Sequence, residues 1–127
     1  MEQYLIDNNV ISSYFSRSFS TRAMDFVADV IDHKPNISII TEIEALSWIS
    51  PDKSKETIIR AFIDDANILP LSADVATHCV KIRRSKKVKT PDAFVAATAI
   101  VHNLTLLTSD KDFNNIDELK IVDPKSL

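Results

Sequence analysis

The sequence predicts a three-layer α/β/α domain with a mostly parallel central sheet of four to five strands. Short runs of β-branched and long apolar residues alternate with helical patterns along the chain, and no linker or repeat interrupts the alternation. Such alternation favours parallel strands joined by helical crossovers. A length of 127 residues with 45% hydrophobic content supports one sizeable core. We therefore expect residues 1–127 to form a single domain.

The predicted strands are short apolar runs bounded by turn-forming residues. In order, they occupy residues 4–6, 37–40, 68–71, 104–107 and, as a fifth and weaker run, 119–122. Asp7 directly follows the first run, and Pro35 precedes the second. Ligands of parallel α/β sheets bind at the carboxyl ends of the strands. That edge is therefore where functional side chains are expected.

Helical spacing of apolar residues fills the intervals between these strands. The predicted helices cover residues 23–31, 41–48, 58–66, 75–82 and 90–101. Ser72 is suited to cap the fourth of them, and Pro91 is suited to the first turn of the last. From residue 93 to 101 the last helix is apolar nearly all round, which suits close packing on a sheet or against a partner subunit.

Composition excludes several classes of function. The chain has no glycine, which excludes phosphate-binding glycine loops, and its single cysteine, Cys79, has no partner for an internal disulfide or a zinc site. No apolar run approaches the roughly 20 residues that cross a bilayer, and the N-terminus lacks a basic leader, so a cytoplasmic protein with no membrane partner is expected. A net charge of −3 means that a nucleic acid would need a local basic patch or a bound metal.

Four acidic residues are expected to meet at the carboxyl edge of the sheet. They are Asp7 after the first strand, Glu44 in the first turn of the helix after the second strand, Asp92 at the start of the last helix, and Asp110 after the fourth strand. Each alone has an ordinary explanation; Thr41 and Glu44, for example, have the spacing of a capping box. Capping does not explain their convergence, because like charges on one edge oppose folding unless a cation is bound.

The type of donor predicts the type of cation. Carboxylates without histidine or thiolate suit Mg²⁺, with Mn²⁺ as a substitute, rather than zinc. A bound cation can polarise a phosphate oxygen and activate water for phosphodiester hydrolysis, and a carboxylate outside the metal site can accept the proton. The residues expected to support the ligands are Asn9, Thr41, Thr108 and Asp112, the last also being a candidate fifth acid.

A dense basic run leads into Asp92. It consists of Lys81, Arg83, Arg84, Lys86, Lys87 and Lys89. Two interpretations have equal weight: the run contacts RNA phosphates through counterion release, or it is a solvated helix end and loop.

The segments that carry the four acids resemble the PIN-domain family, and closely its VapC toxin branch, over nearly the whole chain. The similar motifs are residues 4–12 (YLIDNNVIS), 37–46 with Glu44 rather than Glu42 as the glutamate, 90–99 (TPDAFVAATA) and 106–113 (LLTSDKDF). Two positions depart from the pattern. Asn8 stands where relatives commonly have threonine or serine, and Ser109 where a basic residue is frequent, so phosphate contacts beside Asp110 are expected to be weaker.

The resemblance implies a PIN-like fold in which the four acids hold Mg²⁺. It further implies a metal-dependent endoribonuclease, usually the toxin of a toxin–antitoxin pair, that forms homodimers and is inhibited by a cognate antitoxin.

Three other functions compete with this interpretation. A phosphatase of the haloacid dehalogenase type would need a second aspartate two residues after Asp7, where this chain has Asn9. A catalytically silent PIN-like module would bind RNA or protein but has little reason to concentrate uncompensated carboxylates. Cleavage of DNA rather than RNA stays open, because the metal chemistry at the phosphodiester is common to both.

Overall fold

Five strands form the centre of the molecule in the computed structural model, which describes residues 2–127. The strands are β1 (Tyr4–Ile6), β2 (Asn36–Ser38), β3 (Asn67–Leu69), β4 (Thr105–Leu107) and β5 (Ile121–Val122). They form one sheet in the order β3-β2-β1-β4-β5, and every neighbouring pair is parallel. The prediction of a mostly parallel sheet is confirmed, and the fifth strand is present.

Six α-helices connect the strands within the described residues. They are α1 (Asn8–Phe15), α2 (Thr21–Asp32), α3 (Ile39–Ser47), α4 (Lys53–Asp65), α5 (Ala73–Ser85) and α6 (Thr90–Val101), with 3₁₀ turns at Lys111–Phe113 and Pro124–Ser126. The predicted cap of α5 is confirmed, since the Ser72 side chain accepts a hydrogen bond from Val75 N, and Pro91 lies in the first turn of α6 as predicted. Within residues 2–127, no helix is both long and apolar enough to cross a membrane.

The central strands separate two hydrophobic cores, because successive strand residues point to opposite faces of a sheet. Leu5 and Leu106 pack with the buried residues of α5 and α6. Ile6 and Leu107 pack on the other face with buried residues of α1, α2 and α4. The alanines of α6 are buried, which lets this helix lie close to α5 and the sheet, as the sequence predicts. Helices on both faces of one sheet make the three-layer α/β/α fold.

The boundary between β2 and α3 differs from the sequence prediction. Ser38 ends the strand and caps the helix, since its Oγ accepts a hydrogen bond from Thr41 N at 3.1 Å. The predicted strand to residue 40 and helix start at Thr41 are therefore wrong by two residues. Glu44 lies in the second turn of α3 rather than the first, and the cap at Ser38 replaces the capping box considered for Thr41. The Glu44 carboxylate is consequently not needed to cap this helix.

Candidate metal centre

The carboxyl edge of the two central strands carries two of the predicted acids. Asp7 directly follows β1 and caps α1, while Asp110 lies just beyond β4 and caps the 3₁₀ turn Lys111–Phe113. The two strands are paired in register, with Ile6 opposite Leu107. Parallel pairing therefore brings Asp7 and Asp110 to the same edge, although 103 positions separate them in the sequence.

Three aspartates form the tightest acidic group. One carboxylate oxygen from each of Asp92, Asp110 and Asp112 lies within 4.8 Å of the others. Asp92 is in the first turn of α6, and Asp112 N donates to Asp110 Oδ1 at 2.9 Å, which folds the 3₁₀ turn back on the group. Asp112, expected as a supporting residue and a candidate fifth acid, thus lies in the same group as Asp92 and Asp110. Three convergent oxygen donors are the chemistry that a hard divalent cation requires.

Asp7 is the most buried of these acids, with only 6% of its surface exposed. Its carboxylate accepts hydrogen bonds from Asn8 N at 2.9 Å, Asn9 Nδ2 at 2.9 Å and Thr108 Oγ1 at 2.8 Å. Burial raises the pKa of Asp7; the bonds from Thr108 and Asn8 oppose that rise, and nearby negative charges add to it. The ionised form is therefore disfavoured unless a positive charge arrives.

The pKa values of Glu44 and Asp92 are raised by the same two causes, desolvation and neighbouring negative charges. Partial desolvation raises the pKa of Glu44, and the negative charges of Asp7 and Asp92 raise it further. Desolvation also raises the pKa of Asp92, followed by the charges of Asp110 and Asp112, with a smaller opposing effect from Lys89. The four predicted acids thus lie together at one edge and repel one another. In the described part of the chain, none of them forms an ion pair within 4.0 Å.

The Thr108 hydroxyl makes three of the hydrogen bonds around Asp7. Its Oγ1 donates to Asp7 Oδ2 and accepts from Asn9 Nδ2 and Asp110 N, both at 3.1 Å. One hydroxyl therefore uses its single donor and both acceptor positions. Asn9 and Thr108 both contact Asp7. Thr41 instead bonds to Ser38, at 3.2 Å, and has no hydrogen bond to a carboxylate among residues 2–127.

Sequence reasoning missed Ser109 and Asp123 as a pair. Ser109 Oγ donates to Asp123 Oδ1 at 2.7 Å, and Ser109 N donates to Asn9 Oδ1 at 3.2 Å. Asp123 directly follows β5. Its place directly after the fifth strand is the signal that could have found it, because residues after parallel strands share one edge of the sheet.

Only some side chains of the basic run have hydrogen-bond or ion-pair partners among residues 2–127. Lys81 pairs with Glu118 at 3.5 Å, and Arg83 Nε donates to Val88 O at 3.3 Å, so both have structural partners. Lys89 is close enough to lower the pKa of Asp92. The remaining members, Arg84, Lys86 and Lys87, are exposed.

The fold and the acidic edge define a three-layer α/β domain with a group of oxygen donors at the carboxyl ends of its strands. The family model for the PIN domain matches residues 4–119, and the chain belongs to the PIN-domain family. PIN domains are generally nucleases. The predicted resemblance to this family is therefore confirmed.

Several solved structures resemble the chain over nearly its full length. A toxin–antitoxin complex from Klebsiella pneumoniae contains a chain with 30% identity and a TM-score of 0.73, covering 96% of this chain and 98% of that one. DNA-bound VapBC from Salmonella typhimurium gives 20% identity, a TM-score of 0.80 and coverage of 98% and 99%. FitAcB from Neisseria gonorrhoeae gives 23% identity, a TM-score of 0.75 and coverage of 98% and 100%. A comparison with curated proteins gives no match.

Proposed function

We propose that the chain is a magnesium-dependent endoribonuclease and the toxin of a VapBC-type toxin–antitoxin pair. The observation that carries the proposal is the convergence of Asp7, Glu44, Asp92 and Asp110, joined by Asp112, without an ion pair among residues 2–127. Such repulsion reduces stability in the absence of a cation, and a module that only binds a partner gains nothing from it.

The donor chemistry fits a hard cation. Histidine and cysteine are absent from the acidic group in the part of the chain described, and every candidate ligand is a carboxylate oxygen. This set suits Mg²⁺, and Mn²⁺ as a substitute. Asp7, Glu44, Asp92 and Asp110 would hold the ion. When bound, it supplies Lewis-acid polarisation of the phosphate and a lower pKa for water.

The side chains around the acids have separate roles in this proposal. Asn9 and Thr108 both bond to Asp7 Oδ2, which fixes the plane of that carboxylate. Asp112 is exposed, and its position beside Asp92 and Asp110 suits a group that orients the attacking water and accepts its proton.

An apolar groove beside the acids suits the proposed antitoxin. The groove has a volume of about 420 Å³, lies between α1, α3 and α4, and has Glu44 among its lining residues. Trp48 and Ile58 line it and are 47% and 49% exposed. A partner segment with apolar side chains and one cationic side chain would cover the groove and reach the carboxylates. Solved relatives of the chain are toxin–antitoxin complexes, which supports an antitoxin as the occupant. A homodimer is also proposed, from the family resemblance alone.

RNA cleavage by wild type, Glu44→Gln and Glu42→Gln tests the function directly. We expect wild type to cut members of a structured RNA panel with Mg²⁺ or Mn²⁺ and to stop with a chelator. Removing a residue that only hydrogen-bonds to a metal ligand typically lowers activity about 10- to 100-fold, and removing a ligand should lower it at least as much. We therefore expect Glu44→Gln to cleave RNA at least about 10- to 100-fold more slowly than wild type. Glu42→Gln removes the neighbouring charge on the same helix and is the matched control.

Three results would redirect the proposal. Preferential cutting of single-stranded DNA would make the protein a deoxyribonuclease. Metal binding by calorimetry without cleavage of any RNA would favour the catalytically silent module. Equal rates for Glu44→Gln and wild type would remove Glu44 from the site.

The exposed lysines of the loop between α5 and α6 are proposed to hold RNA phosphates. Replacing Lys86, Lys87 and Lys89 with alanine is expected to weaken RNA binding equally for different sequences, because phosphate contacts carry no base specificity. The slope of log affinity against log salt should fall by about 0.7 per contact, or about 2 in total. Fluorescence anisotropy with cleavage-deficient protein measures both quantities.

The control for this experiment is alanine at Lys34, Lys120 and Lys125, which lie elsewhere on the chain and remove the same charge. If the two triple variants lose RNA affinity equally, the effect is one of net charge, and the loop between α5 and α6 is not an RNA-binding site.

A further inference from the structure

A side-chain hydrogen bond joins the loop before Asp110 to the residue that follows β5, the outermost strand on that side of the sheet. Ser109 Oγ donates to Asp123 Oδ1 at 2.7 Å. Ser109 immediately precedes Asp110, while Asp123 follows β5 and caps the 3₁₀ turn Pro124–Ser126. A hydroxyl donor to a carboxylate at this distance makes a charge-assisted bond, roughly twice as strong as a neutral one.

Ser109 lies just beyond β4 and is held from both sides of that strand. On the β1 side, its backbone N donates to Asn9 Oδ1 at 3.2 Å, and Asn9 also donates to Asp7. On the β5 side, its hydroxyl bonds to Asp123, one residue beyond the ladder bond from Thr108 N to Val122 O. The segment from residue 108 to 110 therefore has little freedom to change the direction of the Asp110 side chain.

The Asp123 carboxylate is itself fixed in orientation. Its Oδ1 also accepts from Lys125 N at 2.9 Å, and the adjoining Pro124 is buried. The 3₁₀ turn that begins here packs against α2, and Ser20 Oγ donates to Leu127 O at 3.5 Å. Ser109 is therefore bonded to an acceptor that the backbone orients.

We infer that Ser109 and Asp123 form a positioning pair that fixes the Asp110 carboxylate for cation binding. The inference rests on the proposed function, in which Asp110 is a metal ligand. The pair acts through the backbone of residue 110 and is not a ligand. Partners that orient a ligand typically change metal affinity 10- to 100-fold when removed, because the ligand must then be ordered on binding.

The main test is the affinity of Ser109→Ala for Mn²⁺, measured by calorimetry, together with the melting temperature of the metal-free protein. We expect the dissociation constant for Mn²⁺ to rise about 10-fold. Loss of this charge-assisted bond should also lower the metal-free melting temperature by roughly a few degrees, so the Mn²⁺ affinity is the measurement that tests the positioning role. Ser109→Thr keeps the hydroxyl and is expected to bind Mn²⁺ nearly as wild type does.

Ser54→Ala is the matched control. Ser54 Oγ donates to Asp52 Oδ1 at 2.6 Å at the start of α4, so this variant removes the same kind of bond away from the acids. Its Mn²⁺ affinity should equal that of wild type.

A double-mutant cycle tests whether Asp123 acts through Ser109. Asp123→Ala also loses the bond from Lys125 N, so it should lower the melting temperature, and only its Mn²⁺ affinity is compared. If the two residues act through one bond, the double variant should bind Mn²⁺ no more weakly than the weaker single variant. Additive losses would overturn the pairing.

The outcomes separate this inference from the proposed function. Wild type that binds Mn²⁺, with Ser109→Ala binding equally well, would overturn the positioning role and leave the nuclease proposal intact. A lower melting temperature with unchanged Mn²⁺ affinity would assign the bond to folding alone and also overturn the inference. Failure of wild type to bind Mn²⁺ would overturn the metal site itself and, with it, the positioning pair.

Discussion

Asp92→Asn is expected to raise the melting temperature of the metal-free protein while abolishing metal-dependent cleavage. Desolvation and the charges of Asp110 and Asp112 raise the pKa of Asp92, so its ionised form is unfavourable without a cation. Asp92 is only half-buried and solvent screens the repulsion, which limits the gain to about 0.5–1 kcal/mol. For a domain of this size, that corresponds to a rise of roughly 2–4 °C. With Mg²⁺ present the order should reverse, because wild type alone gains binding energy.

The part of the metal-free protein's stability that comes from the clustered carboxyl groups should fall as the pH rises. The folded-state pKa values of Asp7, Glu44 and Asp92 are raised, so their contribution to stability is complete below their unfolded pKa values, about 4, and is lost as pH rises through the folded values. The metal-free wild type is therefore expected to lose this contribution as the pH rises above about 4. Asp92→Asn should lose less, as thermal melts with a chelator at several pH values would show.

The control for this prediction is Asp74→Asn. Asp74 is also in the first turn of a helix, α5, but it is exposed and outside the acidic group. Loss of its favourable interaction with the helix dipole should lower stability by about 0.3–1 kcal/mol. If metal-free Asp92→Asn fell in stability as Asp74→Asn does, the dipole would outweigh the repulsion, and the electrostatic argument for a cation would fail.

Thr108→Val is expected to lower the free energy of unfolding by about 2–4 kcal/mol and to slow cleavage. The substitution keeps the volume but removes a buried hydroxyl that bonds to Asp7, Asn9 and Asp110 N. Asp7 then loses a donor, while two N–H groups lose an acceptor, and each buried group left unpaired costs about 1–3 kcal/mol. Urea unfolding of the metal-free protein measures the change.

Two variants isolate the role of the Thr108 hydroxyl. Thr108→Ser retains it and should recover most of the lost stability, apart from about 1 kcal/mol for the missing methyl group. Thr98→Val removes another buried threonine hydroxyl, which among residues 2–127 bonds only to Phe94 O within its own helix, at 2.8 Å. If Thr108→Val lowers the free energy of unfolding no more than Thr98→Val does, the hydrogen bonds around Asp7 contribute little to stability.

Local chemistry accounts for how much of the fold could be predicted. Apolar runs, helical spacing and residues such as Ser72 and Pro91 act within a few positions, so they mark strands and helices without tertiary information. The start of α3 could not be fixed in this way. Ser38 and Thr41 can both cap a helix, and the choice follows from β2, where Ser38 is the last residue to pair with β3, opposite Leu69.

The sequence by itself determined that Asp7 and Asp110 follow strands and that Asp92 begins a helix, because turn and cap preferences are local. Only the tertiary structure decided their distances. The strand order makes β1 and β4 neighbours, which brings Asp7 to Thr108 across 101 positions. The 3₁₀ turn brings Asp112 into the acidic group, and the pairing of β4 with β5 brings Asp123 to Ser109. These contacts depend on pairing between distant segments, which no local pattern of residues encodes.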